Sequence, residues 1–198
     1  MHRLLIATKN AHKTAEIRDI LGAAWEVSDL TAHPEVPAPD ETGATFEENA
    51  RIKAEAASRI FPGIVLSDDS GLEVDALGGE PGVQSALYAG IHGDDAANRA
   101  RLKRELLACG APQPWRARFR CTMAIAQAGR TLAVCDGRAE GRVISEERGC
   151  GGFGYDSMFI HDGHTETFGV LPADVKNGLS HRARALAKAA VILAGLRE

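Results

Sequence analysis

With 198 residues, 44% of them hydrophobic, the chain is long enough to bury a real core, as one compact unit or as a domain carrying a second lobe. Its 23 Lys and Arg stand against 27 Asp and Glu, a formal charge of -4 that supplies no overall basic field for nucleic acid or an anionic membrane and leaves room only for a local positive site. No charged-then-apolar leader and no apolar run near the roughly 18 residues of a membrane span are evident, so a cytoplasmic protein is expected. Cys109, Cys121, Cys135 and Cys150 contain no CxxC pair, which argues against a structural zinc or a thioredoxin-like site and for four reduced thiols.

In chain order, Leu4-Leu5-Ile6-Ala7 reads as a buried first strand, broken by Thr8-Lys9-Asn10 before a helix built on Ile17, Ile20 and Leu21. A strand–turn–helix junction of this kind offers free backbone N–H groups and a helix dipole to an anion, with Thr8, Asn10 and Lys13 as added donors. No Walker loop is present, and ordinary helix capping explains the same residues. Residues 31–44 are rich in Pro, Asp and Glu, and Pro34, Pro37 and Pro39 make them a loop; its Glu41 is either a solvated carboxylate or a metal ligand. Thr45 and Glu48 form a capping box ahead of a helix carrying Ala50, Ile52, Ala54, Ala57 and Ile60, with Asn49 and Lys53 on one face.

The pivotal stretch is residues 66–82, where the apolar strand Ile64-Val65-Leu66 is expected to end at Ser67 and to deliver Asp68 and Asp69 into a turn made possible by Ser70-Gly71. Such a place can hold a metal. In an extended backbone the two carboxylates would point to opposite faces, so two ligands at one site require the turn. Leu72, Val74 and Ala76 then alternate with Glu73 and Asp75 as a half-buried strand, and glycines lead to Tyr88. A helix follows from Asp94 to Cys109 on Leu102, Leu106 and Leu107. Residues 117–126 alternate through Phe119, Cys121, Met123 and Ile125, and a Gly129-Arg130 turn leads into Leu132–Cys135, a hairpin. Short strands at Arg142–Ile144 and Met158–Ile160 complete a mixed α/β protein with a central twisted sheet flanked by helices.

Gly149–Asp156 is the second unusual stretch: glycines allow close backbone approach, Phe153 or Tyr155 could cover an aromatic base, and Asp156 could accept from its edge, although a tight turn with core aromatics explains the same pattern. Lys176 and Ser180-His181-Arg182 precede a last helix with Leu186, Val191, Leu193 and Leu196. Two basic groups in a first turn are electrostatically misplaced unless an anion meets them.

Together the pieces resemble the Ham1-like inosine triphosphate pyrophosphatases. The matching stretches are TKNAHK from Thr8, ETGATFEENARIKA from Glu41, SDDSGLEVDALGGEPG from Ser67, GGFGYD from Gly151 and SHR from Ser180. The resemblance implies one domain over 1–198, an elongated mixed sheet with two lobes around a nucleotide cleft, a homodimer, and Mg²⁺-dependent hydrolysis of ITP, dITP and XTP to monophosphate and pyrophosphate, a cleansing of the nucleotide pool. It implies a phosphate-binding turn with Thr8, Asn10 and Lys13, substrate binding by Lys9, Ala11 and His12 of the same segment, metal binding by Glu41 and Asp69, a proton acceptor in Asp69, and Asp68 and Lys53 beside the reaction centre. Ser70, Phe153, Gly154, Tyr155, Asp156, Lys176, His181 and Arg182 match substrate-binding positions. Two departures stand out: Leu87 replaces the arginine of SARYAG, and Ser157 replaces the proline that commonly follows GYD. A pyrophosphatase for another modified or pyrimidine nucleotide, or a nucleotide sensor without turnover, shares most of these features.

Overall fold

The structure, a computed structural model, describes residues 2–36 and 38–196. Its elements are β1 (His2–Ile6), α1 (Ala11–Leu21), β2 (Trp25–Asp29), α2 (Phe46–Ser58), β3 (Ile64–Val74), α3 (Asp95–Ala108), β4 (Trp115–Gln127), β5 (Arg130–Val143), β6 (Phe159–His161), α4 (Ala173–Leu179) and α5 (His181–Gly195). One six-stranded sheet runs in the order β2-β1-β3-β4-β5-β6, parallel where β1 meets β2 and β3, and antiparallel where β5 meets β6. This is the mixed α/β architecture that the alternation of helix-linked strands and hairpins implies.

The chain divides into two compact units, Met1–Asp69 with Cys121–Gly137 and Arg182–Glu198, and Ser70–Arg120 with Arg138–His181. In the first unit strand parity decides the layers. Leu4, Ile6, Ile64, Leu66, Cys121, Met123 and Ile125 pack with Ile17 of α1 and Leu186, Ala189 and Leu193 of α5. The intervening residues face elsewhere: Leu5 and Val65 pack with Ala57 of α2, and Ala124 and Ala126 with its Ala50 and Ala54. Apolar side chains on both faces explain why Cys121–Ala126 is buried without interruption. In the second unit Trp115, Ala117 and Phe119 of β4 join Leu72, Val74, Leu102, Leu106 and Phe159 in a core, while Arg116, Arg118 and Arg120 alternate with them and pair with Asp162, Asp75, Glu73 and Glu140. All four cysteines are free, Cys121 and Cys135 buried, Cys109 and Cys150 exposed.

The capping box is present at both ends: Glu48 N–H donates to Thr45 Oγ1 at 3.2 Å, and Thr45 N–H to Glu48 Oε2 at 3.2 Å. Several expectations are corrected. β3 does not end at Ser67; it continues through Asp68, Asp69, Ser70 and Gly71 to Val74, so the aspartates lie on a strand and not in a turn. β3 lies between β1, paired at Ile64–Leu66, and β4 in the sheet, and continuation of the strand overrides the local turn propensity of Asp-Asp-Ser-Gly. The hairpin turn is Ala128-Gly129, both at positive φ, and β5 runs unbroken to Val143. β2 and α4 were not expected: β2 is an edge strand with apolar residues only at Trp25 and Val27, and α4 is seven residues long. Ile20, Ile60, Leu107, Val191 and Leu196 are exposed, and Ile52 is half-buried, so the core-facing stripes are narrower than periodicity suggests. Pro34 and Pro39 fall between helices and strands as expected; Pro37 lies outside the described residues.

Candidate active site

The layer parity of β3 continues past its apolar residues into its polar ones. Asp68 follows Ile64 and Leu66 onto the side of α1 and α5, where its Oδ2 lies 2.9 Å from Lys13 Nζ and 3.4 Å from Arg182 Nη2. Arg182 is 1% exposed and also pairs with Glu16 of α1. The two basic residues that looked misplaced at the start of α5 are thus partly explained: Arg182 meets internal carboxylates, and His181 is stacked on Phe119 with centroids 4.9 Å apart.

Ser67 and Asp69 point to the opposite layer, toward α2. The Ser67 hydroxyl donates to the Ala50 carbonyl at 2.5 Å, Lys53 Nζ to Asp69 Oδ1 at 2.8 Å, and Asn49 Nδ2 to Asp69 Oδ2 at 3.4 Å. Asn49 and Lys53, one turn apart, therefore grip the two oxygens of one carboxylate. Glu41 reaches the same ammonium, its Oε1 3.3 Å from Lys53 Nζ. This side carries one ammonium against two carboxylates, an excess of negative charge; on the other side Lys13 and Arg182 balance Asp68 and Glu16.

The difference appears in protonation. Burial alone would raise the Asp68 carboxyl, but Lys13, Arg182 and Lys53 outweigh it and hold the group well below the usual range. At Asp69 burial prevails over the attraction of Lys53, with Glu41 adding repulsion, and the carboxyl is pushed up to about 6. Lys53 is penalised by burial, yet Asp69, Asp68 and Glu41 together raise its pKa, so it stays an ammonium.

The segment 8–13 closes β1 and opens α1. Asn10 is the N-cap, its Oδ1 accepting from the N–H groups of His12 at 3.0 Å and Lys13 at 3.3 Å, and Thr8 Oγ1 accepts from Asn10 N–H at 3.1 Å. Lys9, Asn10, Ala11 and His12 are exposed, Thr8 and Lys13 half-buried. Capping is what this segment does here, at an exposed helix start.

In the second unit, Asp156 shapes the glycine loop. Its Oδ2 accepts from Phe153 N–H at 2.8 Å and from Lys176 Nζ of α4 at 2.7 Å, and Lys176 Nζ lies 5.0 Å from the centre of the Phe153 ring. Tyr155 belongs to the core, 4% exposed, its hydroxyl donating to the Ser85 carbonyl at 2.9 Å; Phe153 is the half-exposed ring. Gly154 is held by both backbone groups, its N–H donating to Asp95 Oδ2 at 2.7 Å and its carbonyl accepting from Arg99 Nη1 at 2.8 Å. Ser70 is half-buried on β3 immediately after Asp69.

Glu16, Asp95 and Arg99 shape these arrangements and carried no sequence signal as site residues; Asn49 did only as the neighbour of Lys53 on α2. Ser157, at which the family pattern leads one to expect proline, donates to Glu147 Oε2 at 3.2 Å, and Glu147 holds Arg99 Nε at 2.7 Å, so this residue joins the group that grips Gly154. Leu87 is 43% exposed and lines a cavity of about 410 Å³ with Tyr88 and Arg101, whose guanidinium stacks 4.2 Å from the Tyr88 ring centre.

The family model for the Ham1 family matches residues 4–192. The chain belongs to the Ham1 family. A relative in Geobacillus kaustophilus named dITP/XTP pyrophosphatase is 48% identical over 190 residues, 95% of this chain and 92% of that one. Among solved structures, a HAM1 protein from Coxiella burnetii superposes with a TM-score of 0.88 at 35% identity, covering 98% of this chain and 100% of that one. A nucleoside-triphosphatase named dITP/XTP pyrophosphatase from Mycobacterium abscessus gives 0.75 at 40% identity over 94% of this chain and 97% of that one.

Proposed function

We propose that the chain hydrolyses the non-canonical purine nucleoside triphosphates ITP, dITP and XTP at the α–β phosphate linkage, giving monophosphate and pyrophosphate. The observation that carries this reading is the buried Asp69, with Glu41 and Lys53 beside it and an excess negative charge. Both carboxylates lie at the Lys53 ammonium, and hard oxygen donors of this kind suit Mg²⁺. Among the described residues no group of three or more His, Cys, Asp or Glu could hold a metal alone, and Mg²⁺ commonly takes one or two carboxylates together with substrate phosphates. Glu41 and Asp69 would hold it, and when bound it supplies charge neutralisation at phosphoryl oxygens and a more acidic water.

The chain's own residues do the rest. Asp69, ionised at neutral pH yet more basic than an ordinary aspartate, accepts the proton of the attacking water. Lys53 fixes one oxygen of Asp69 and remains charged, so it also counters charge developing on the phosphates. Lys13 and the α1 terminus with Thr8 to His12 are assigned to the phosphates and Arg182 to the substrate, with Asp68 keeping Lys13 and Arg182 in place. Ser70, Lys176, His181 and the Phe153–Asp156 loop are assigned to substrate binding, with Phe153 as the ring for a purine face.

A site with donors aimed at the six-oxygen leaves the six-amine of ATP unpaired, which rejects ATP; GTP shares the six-oxygen and is rejected only through its two-amine. Pyrophosphate release from ITP, dITP, XTP, ATP and GTP, with and without Mg²⁺, tests the reading. Higher kcat/KM on the first three and dependence on Mg²⁺ are expected; equal efficiencies remove the specificity, and no release removes the activity. As an enzyme of the nucleotide pool it would work in the cytoplasm, and no helix among the described residues is long and apolar enough to cross a membrane. A homodimer is part of the same reading, and a monomer across the working concentration range in light scattering would remove it.

A further inference from the structure

Asn49 is 2% exposed, and its carboxamide spans two segments that sequence does not connect. Its Oδ1 accepts from Gly43 N–H at 2.7 Å, in the loop that carries Glu41, and its Nδ2 donates to Asp69 Oδ2 at 3.4 Å on β3. The orientation of the amide is dictated by chemistry: a backbone N–H can only donate, so the oxygen must face Gly43 and the NH₂ must face the carboxylate. Gly43 is matched to this contact. A Cβ there would lie 2.6 Å from Glu48 Cβ and 2.7 Å from Asn49 Oδ1, so only glycine lets the loop backbone approach α2 this closely.

We infer that Asn49 is a positioning residue that holds the Glu41 loop and the Asp69 carboxylate in register, so that both acidic groups address one cation. The inference rests on the function proposed above. Lys53 cannot perform this task alone, because an ammonium attracts both carboxylates without directing either; the planar amide fixes the loop backbone and one carboxylate oxygen at once. The capping box fixes the start of α2 through its N-cap Thr45, two residues beyond Gly43, so the loop is anchored from Gly43 to Glu48 on the helix that presents Asn49 and Lys53.

Three variants test it: Asn49→Ala, Gly43→Ala, which attacks the bridge from its other end, and Ser67→Ala, which removes a different tie between β3 and α2. Mg²⁺ binding is measured by calorimetry without nucleotide, beside kcat and KM for ITP, circular dichroism and melting temperature. Loss of a partner that orients a metal ligand typically costs about 10- to 100-fold, so Asn49→Ala and Gly43→Ala are each expected to weaken Mg²⁺ binding at least about tenfold and to lower kcat more than they raise KM. Ser67→Ala is expected to lower the melting temperature and leave Mg²⁺ binding within about threefold of wild type, as befits a tie that touches no metal ligand. Asn49→Asp guards against misfolding of the alanine variant: it is nearly isosteric and keeps the acceptor for Gly43 N–H but lacks the donor, and its kcat is expected to fall as well. Wild-type Mg²⁺ binding by folded Asn49→Ala, an equal loss in Ser67→Ala, or undiminished kcat in Asn49→Asp would each overturn the inference. If wild type itself released no pyrophosphate, the functional reading would fail and this inference with it.

Discussion

The two faces of β3 treat adjacent aspartates in opposite ways. Asp68 is 2% exposed and Asp69 6%, so burial is nearly equal, yet the first carboxyl is held low and the second is pushed up to about 6. What differs is the company. Asp68 meets Lys13 and Arg182, whereas Asp69 shares Lys53 with a second carboxylate, Glu41. A strand's two-residue period thus lets one dipeptide place a carboxyl held low in one layer and a carboxyl pushed up in the other.

The largest expected effect breaks the Asp69 side. Asp69→Asn preserves size but removes a charge that binds metal and accepts a proton, so kcat/KM for ITP should fall at least about 10²-fold, within the roughly 10²- to 10⁴-fold typical of acid–base residues, with the fold retained. Asp75→Asn is the comparison, since Asp75 pairs with Arg118 at the surface, 2.7 Å away and 49% exposed, and only a small change is expected. Near-normal turnover by folded Asp69→Asn would falsify its role. Next comes the Asp68 side. Asp68→Asn leaves Lys13 and the buried Arg182 short of a counter-charge, and breaking a buried pair costs about 3 to 5 kcal/mol; because Arg182 keeps Glu16, a loss near about 3 kcal/mol is expected in urea unfolding. A loss below about 1 kcal/mol, the range of an exposed pair, would mean that Asp68 is not a structural anion.

Much of this was legible in the sequence, and the reasons are local. The capping box, the helix over 95–108 and the hairpin strands follow from patterns of caps and alternation that neighbours reinforce. Asp68, Asp69, Lys53 and Glu41 were nameable because they are acidic and basic groups in matching motifs. What was not legible is the strand beneath them: Asp-Asp-Ser-Gly has turn chemistry, and only its place in a strand of the central sheet makes it extended. That error hid the division of labour between Asp68 and Asp69, although the alternation rule contained it. The grips on Gly154 by Asp95 and Arg99, and on Asp69 by Asn49, depend on approaches across 59, 55 and 20 residues, which periodicity does not encode.

The smallest expected effect, and the one that sharpens the comparison most directly, is the pH dependence of stability without metal. Asp68, with its pKa lowered in the fold, contributes stability that is present above the unfolded value near 3.8 and is lost as pH falls through the folded value. Asp69 has the opposite sign: with its pKa raised from 3.8 to about 6, its contribution is present below the unfolded value and is lost as pH rises through about 6. The two aspartates should therefore tilt stability in opposite directions on either side of pH 4. Other carboxylates titrate in the same range, so the informative quantity is the difference between wild type and Asp69→Asn, measured as urea midpoints in the presence of a chelator. Wild type should lose ground to the variant between about pH 4 and pH 6, and the difference should be flat above about pH 7, where Asp69 is ionised in both folded and unfolded chains. A difference that stays constant from about pH 4 to pH 7 would show that Lys53 compensates the burial of Asp69 in full, and a difference that grows in favour of wild type would show that the ion pair prevails over burial and Glu41.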